Sequence, residues 1–177
     1  MEYRIRKALL SDIDAIMEIE KSSFIKPIQE RRETFEARIK TSPESFFVFE
    51  EDNVFGYICA EFLEKEPESS RDLELNHLPL EIGKDFNQKK CLYISSFAIL
   101  PQKRGCGLGK KLWNESLSLF EKLSHEMPIF LLVNEVWKNA ASIYEKSGFF
   151  KVGLFKNFFK TETKGIFTDG ILMKKEM

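Results

Sequence analysis

Arg104-Gly105-Cys106-Gly107-Leu108-Gly109-Lys110 sets three alternating glycines between basic residues. An apolar, strand-like run ends just before it at Ile99-Leu100-Pro101, and an amphipathic helical pattern begins within it. Where a turn enters a helix, backbone N–H groups lack intrahelical partners and the helix dipole adds positive potential. Glycine lets an anion come close to the main chain and lets the chain take φ > 0. The chemistry open to such a segment is phosphate binding. Two common phosphate loops do not fit. In G-x-x-x-x-G-K-[ST], counted back from Gly109-Lys110, the first glycine would fall at Arg104, and the magnesium-binding hydroxyl position holds Lys111. Against G-x-G-x-x-G, the spacing G-x-G-x-G is one residue short and lies mid-chain.

The pattern that remains is R-x-x-G-x-G, spelled by Arg104 to Gly109. Downstream, Asn139-Ala140-Ala141-Ser142-Ile143-Tyr144-Glu145-Lys146-Ser147-Gly148-Phe149 reads A-x-x-x-Y-E-K-x-G-F after the apolar run Ile129 to Val133. The two motifs, in this order with one helix and one strand between them, resemble the GNAT family of N-acetyltransferases. The resemblance extends over the whole chain, with an atypical insertion before the strand that feeds the glycine turn.

That resemblance implies acetyl-CoA as co-substrate, an amine acceptor and no metal. It implies that Arg104, Gly105, Cys106, Gly107, Leu108, Gly109 and Lys110 hold the pyrophosphate, largely through backbone N–H groups. Phe97, Ala98 and Ile99 would bond the pantetheine arm as a strand does, and a backbone N–H near Ile99 or Leu100 would serve the tetrahedral oxyanion. Tyr144 matches the general acid for the leaving thiolate; a phenol of pKa about 10 can donate to a thiolate whose thiol has a pKa near 8.5. The family often has Asn seven residues before that tyrosine. Here the position is Trp137, so the contact passes to Asn139 or Asn134.

The general base is the least defined role. Where family members often carry a carboxylate before the apolar triplet, this chain has Ser95 and Ser96. Glu61 is the first candidate, acting through water, and Glu135 the second. His77 has a suitable ordinary pKa, and the acceptor amine can also lose its proton to solvent.

For the acceptor, Glu20-Lys21-Ser22-Ser23-Phe24 with Pro27, and the tail Lys156-Asn157-Phe158-Phe159 with Asp169 to Met173, resemble ribosomal-protein alanine N-acetyltransferases, whose acceptor is a protein N-terminus. Phe158-Phe159 stands where paired tyrosines are usual. Phe35 to Ile39 before Pro43 to Phe46 resembles arylalkylamine-type acetyltransferases, so a small amine of arylalkylamine or polyamine type is the alternative. Phe24, Phe158 and Glu135 are the candidate acceptor contacts. A non-catalytic acyl-CoA-binding module is a third possibility, and the retained Tyr144 argues against it.

These residues need a scaffold. Tyr3 to Lys7 alternates as a strand. Ser11-Asp12-Ile13-Asp14 opens a helix in capping-box fashion, with Ile13, Ile16, Met17 and Ile19 inward. A charged second helix, Glu30 to Lys40, is expected on the surface. Strands Phe46 to Glu50 and Val54 to Phe62 flank the turn Glu51-Asp52-Asn53. Residues 64–90 form a polar insertion, too long for an ordinary connection. Leu73, Leu75, Leu78, Leu80, Ile82 and Phe86 argue that it packs on something, and it reads either as a flap over the acceptor side or as a decorative loop. Then come strand Leu92 to Ile99, a helix from Leu108 to Leu123, strand Ile129 to Val133, helix Ala140 to Lys146, and strands Phe149 to Phe159 and Thr168 to Lys174. The predicted class is α/β: one domain over residues 1–177, with a mixed, mostly antiparallel sheet of about seven strands. Helices lie on both faces, and by the resemblance the sheet splays between its fourth and fifth strands.

Composition is consistent with this. The 177 residues carry a net charge of −1, so no bulk field favours nucleic acid or an acidic membrane. Three cysteines, Cys59, Cys91 and Cys106, lack metal-ligand spacing and read as reduced thiols, with Cys106 in the positive potential of the turn. No apolar run nears the roughly 20 residues of a membrane span, and the N-terminus lacks a secretory apolar region. The expected setting is the cytoplasm, as a monomer or homodimer.

Overall fold

The computed structural model describes residues 2–74 and 89–177. Seven strands, β1 (Arg4–Lys7), β2 (Phe46–Glu50), β3 (Val54–Leu63), β4 (Cys91–Ile99), β5 (Ile129–Asn134), β6 (Phe150–Lys160) and β7 (Phe167–Lys175), form one sheet in the order β1-β2-β3-β4-β5-β7-β6. Neighbours are antiparallel except β4 and β5, which run parallel. Four helices accompany them: α1 (Ile13–Ser23), α2 (Arg32–Thr41), α3 (Leu108–Ser124) and α4 (Lys138–Lys146).

Strand alternation sorts the core into layers. In Phe46-Phe47-Val48-Phe49, Phe46 and Val48 join Ile13, Ile16, Ile19, Phe35 and Ile39 of α1 and α2 on one face. Phe47 and Phe49 join Leu112, Trp113, Leu117 and Phe120 of α3 on the other. Gly56 sits where these layers press together. A Cβ there would lie 2.7 Å from Ile99 Cγ2 and 2.9 Å from the Ala98 carbonyl, so only glycine lets β3 lie this close to β4.

Two expectations change. α2 does not lie on the surface: Thr34, Phe35, Arg38 and Ile39 are buried, so its inner face mixes apolar groups with one charge. At the start of α1 the residue that reaches back is Asp12, whose carboxylate accepts the Leu9 N–H at 2.8 Å and pairs with Arg6; Asp14 is exposed and bonds Arg32. Of the insertion, the described part includes a helical turn at Ser70–Leu73 that buries Leu73 against Tyr93, Phe130 and Leu172. Residues 75–88, with His77, Leu75, Leu78, Leu80, Ile82 and Phe86, lie outside the described residues. Among those described, no helix is long and apolar enough to cross a membrane.

Candidate active site

The sheet opens where β4 and β5 part. They pair only from Leu92 with Ile129 to Ile94 with Leu131. On the β3 side Cys59 faces Ser96 and Ala60 faces Ile94, leaving Ser95 as an extra, bulged residue. Bulges of this kind bend a strand and re-aim its groups. Beyond the bulge the Leu100 N–H donates to the Phe55 carbonyl of β3 at 2.8 Å. Alternate N–H groups of a strand point to opposite edges, so those of Phe97 and Ile99 point to the open edge. The expected oxyanion donor near Ile99 or Leu100 is thereby narrowed: the Leu100 amide is already committed. The gap is a cleft of about 550 Å³ running from Gly105 and Gly107 past Phe97 and Tyr144 to Glu61 and Tyr93.

The glycine turn has the form phosphate binding needs. Gly105 and Gly107 hold φ of +88° and +80°, and a Cβ on either would meet nothing within 4 Å. Their identity therefore serves backbone conformation and ligand approach rather than packing. Gly107 is the N-cap of α3, so the free N–H groups of a 17-residue helix open onto the cleft. Arg104 ties this turn down: its guanidinium bonds the Ile99 carbonyl at 2.9 and 3.0 Å and Ser23 Oγ at 2.8 Å. Arg104 and Lys110 line the cleft, as do Gly105, Gly107, Gly109, Ala98 and Ile99. Cys106 and Leu108 do not; Cys106 is exposed, with Sγ 3.7 Å from the Lys103 carbonyl.

Tyr144 projects from α4 into the cleft, its ring 4.4 Å from that of Trp113 and 6.4 Å from Phe149. Burial pushes its phenol pKa up, which keeps the proton on oxygen. Asn139 lines the cleft nearby, whereas Asn134 is buried and its side-chain oxygen accepts the Val136 N–H. Trp137 packs between Phe24, at 5.7 Å, and Phe159, at 5.5 Å, and Phe159 contacts Phe158. The departure from Asn at position 137 thus builds an aromatic bridge across the cleft, which Phe24 and Phe158 also line.

Past the bridge lies a buried charge cluster. Arg38, 3% exposed, pairs with Glu30 at 3.1 Å and Glu61 at 3.5 Å. Glu20, 1% exposed, accepts the Glu30 N–H at 2.7 Å and the Tyr57 hydroxyl, and Tyr57 in turn meets Ser96 Oγ at 2.9 Å. Burial raises the Glu20 carboxyl pKa to about 7. Ser95 Oγ lies 3.3 Å from the Cys59 thiol, whose pKa burial raises to about 11. Glu61 therefore reaches the cleft as a partner of Arg38. Glu135 does not line it; its carboxylate accepts the Asp169 N–H at 2.9 Å and so joins β5 to β7.

Glu20 was missed, yet its position carried a signal. Ile13, Ile16 and Met17 define an apolar stripe whose next member, at i+7, is Glu20. Arg38 likewise falls between Phe35 and Ile39 on the buried face of α2. A charge on an inward stripe costs free energy unless partnered, so each marks a polar network inside the fold. Among the described residues no group of three or more His, Cys, Asp or Glu side chains is placed to hold a metal.

Comparison with known proteins bears on this geometry. The sequence pattern of the acetyltransferase (GNAT) family matches residues 13–149. An N-alpha-acetyltransferase of Sulfurisphaera tokodaii is 29% identical over 159 residues, covering 89% of this chain and 86% of the relative. Among solved structures, Arabidopsis thaliana Naa50 in complex with the bisubstrate analogue CoA-Ac-MVNAL superposes with a TM-score of 0.72 at 17% identity, covering 100% of both chains. The ribosomal-protein-S18-alanine N-acetyltransferase of Escherichia coli gives 0.71 at 16% identity, over 99% of this chain and 94% of that one. At these identities the structural likeness is one of fold.

Proposed function

This chain belongs to the acetyltransferase (GNAT) family and is an N-acetyltransferase, and we propose that it transfers the acetyl group of acetyl-CoA directly to the α-amino group of a protein N-terminus. One observation carries the reading: a single cleft joins an open glycine turn at a helix N-terminus to a buried acidic cluster, with a protonated tyrosine between them.

Each part has a role in that reaction. The Gly105–Gly107 turn and the first turn of α3 hold the pyrophosphate with backbone N–H groups, assisted by Lys110. The Phe97 and Ile99 N–H groups on the open edge of β4 serve the pantetheine arm and the oxyanion, where preorganised donors are worth about 3 kcal/mol. The thioester is the acyl donor. The amine nitrogen bonds to the carbonyl carbon, the carbon–sulfur bond breaks, and Tyr144 protonates the departing thiolate. Burial raises the pKa of a thiolate's conjugate acid as it raises that of a phenol, so the proton transfer stays matched. Among the described residues Glu20, Glu30 and Glu61 cluster with Arg38 at this end of the cleft, and a carboxylate-rich end favours an acceptor that arrives as an ammonium ion. The aromatic bridge of Phe24, Trp137 and Phe159 packs the residues that follow the amine. The N-alpha relatives, similar over most of the chain, support a protein N-terminus over a small amine.

The test is release of CoA from acetyl-CoA with a panel of peptides bearing free or blocked α-amines, beside arylalkylamines and polyamines. Turnover confined to free N-termini is the expected result. Turnover confined to small amines would reassign the acceptor. Acetyl-CoA binding without turnover on any acceptor would favour a binding module.

A further inference from the structure

We propose that Ser96 is the catalytic group that accepts the acceptor amine's proton, and that Tyr57 and Glu20 behind it carry that proton away from the cleft. The inference rests on the reading of the cleft as an amine-acetylating site, and it names the base which that reading leaves open.

Hydrogen-bond direction carries the argument. Tyr57 has one phenolic proton, and it is donated to the Glu20 carboxylate. In the 2.9 Å contact between Tyr57 and Ser96, Ser96 must then be the donor. Its lone pairs are left for the cleft, which Ser96 lines while half-buried on β4. An ammonium N–H arriving beside the open edge of β4 finds an acceptor there. As it transfers a proton to Ser96 Oγ, the serine proton moves to Tyr57 and the tyrosine proton moves to Glu20. The products are a neutral amine and a neutral Glu20 carboxyl, with both hydroxyls restored. After acyl transfer Glu20 returns this proton to solvent. The second amine proton balances the one delivered to the thiolate.

The alternatives are less well placed. Glu61 is bound to Arg38, so taking a proton there would weaken a buried ion pair. Glu20 is engaged by the Glu30 N–H and by Tyr57 and is 1% exposed, so an amine reaches it through the hydroxyls. The charged and titratable groups facing Glu20 are Glu30, Arg38 of α2 and Tyr57 of β3. Burial sets its carboxyl near the working pH of a proton acceptor, and the hydrogen bonds from Tyr57 and the Glu30 N–H, with the nearby Arg38, oppose that rise only in part.

The experiment is a pH profile of kcat/KM from pH 6 to 9.5 for the full chain and for Ser96→Ala, Tyr57→Phe and Glu20→Gln, using an accepted peptide, with acetyl-CoA binding measured by calorimetry. Ser96→Ala removes one exposed-side oxygen and is the decisive variant if the buried ones unfold. Near neutral pH a loss of about 100-fold is expected, with acetyl-CoA affinity unchanged. The loss should shrink as pH passes the ordinary α-amine pKa of about 8, where solvent supplies the neutral amine. A wild-type profile in Ser96→Ala, or a deficit equal at every pH, overturns the relay and leaves the acetylation reading standing. Absence of turnover by the unmodified protein on every amine overturns both.

Discussion

At the scale of single residues, Tyr144 and Glu20 owe their chemistry to burial, and each makes a separable prediction. Tyr144→Phe keeps the ring against Trp113 and Phe149 and removes the phenolic hydroxyl. Turnover should fall by about 10²- to 10⁴-fold, the range of a lost general acid, while calorimetry finds acetyl-CoA affinity nearly intact. An unchanged kcat would remove Tyr144 from the chemistry. Glu20 predicts a stability effect independent of activity. Its folded pKa, about 7, lies above the ordinary carboxylate value. The folded state therefore holds a proton that the unfolded chain releases, and stability is fully present at low pH and lost as pH rises through 7. The amplitude is on the order of 3 kcal/mol. Denaturant titrations at pH 5 and pH 8 should show this decline in the natural chain and a flatter response in Glu20→Gln. Tyr144 could be read from the sequence because a motif surrounds it. Glu20 has no motif, and only its place on an inward stripe distinguishes it.

Elements decide how such groups are held. α2 brings one guanidinium to two buried carboxylates, Glu30 and Glu61, tying together α2, the segment before it and β3. Arg38→Leu would remove the guanidinium from the buried Glu30 and Glu61. The expected cost at neutral pH is about 3–5 kcal/mol, the usual penalty for breaking a buried pair from one side. Loss of a nearby cation raises the pKa of a buried carboxylate, so protonation relieves the damage. The difference from the natural chain should shrink at pH 5 and widen at pH 8, and a difference independent of pH would count against the ion-pair account. The order of strands and helices was legible in the sequence because periods of two and 3.6 are imposed by which face must be buried. The position of α2 was not, because half of its residues are charged and its buried face is only Thr34, Phe35, Arg38 and Ile39. The bulge at Ser95 was equally hidden. It depends on register against β3, which no local pattern along β4 encodes.

For the whole molecule, the gap between β4 and β5 divides the sheet into two halves that share only three paired positions. α3 and α4 meet where the Trp113 indole N–H donates to Ser147 Oγ at 3.0 Å and its ring packs on Tyr144. α3 follows β4 and α4 follows β5, and at the acceptor end Phe24 packs on Trp137. A ligand that bonds the β4 edge, the α3 N-terminus and the Tyr144 side of α4 at once would join the halves and bind the folded state alone. Acetyl-CoA at about 100 times its Kd should then stabilise the protein by about 2.7 kcal/mol. For a chain of this size that is a rise in Tm of roughly 5–10 °C. Gly107→Glu separates this linkage from any nonspecific effect. The substitution puts a carboxylate where φ is +80° and where the open space admits an anion. It should abolish the thermal shift by like-charge repulsion while leaving the core layers untouched. A shift retained in Gly107→Glu would mean that the pyrophosphate lies elsewhere in the cleft, and that the glycine turn serves only to start α3.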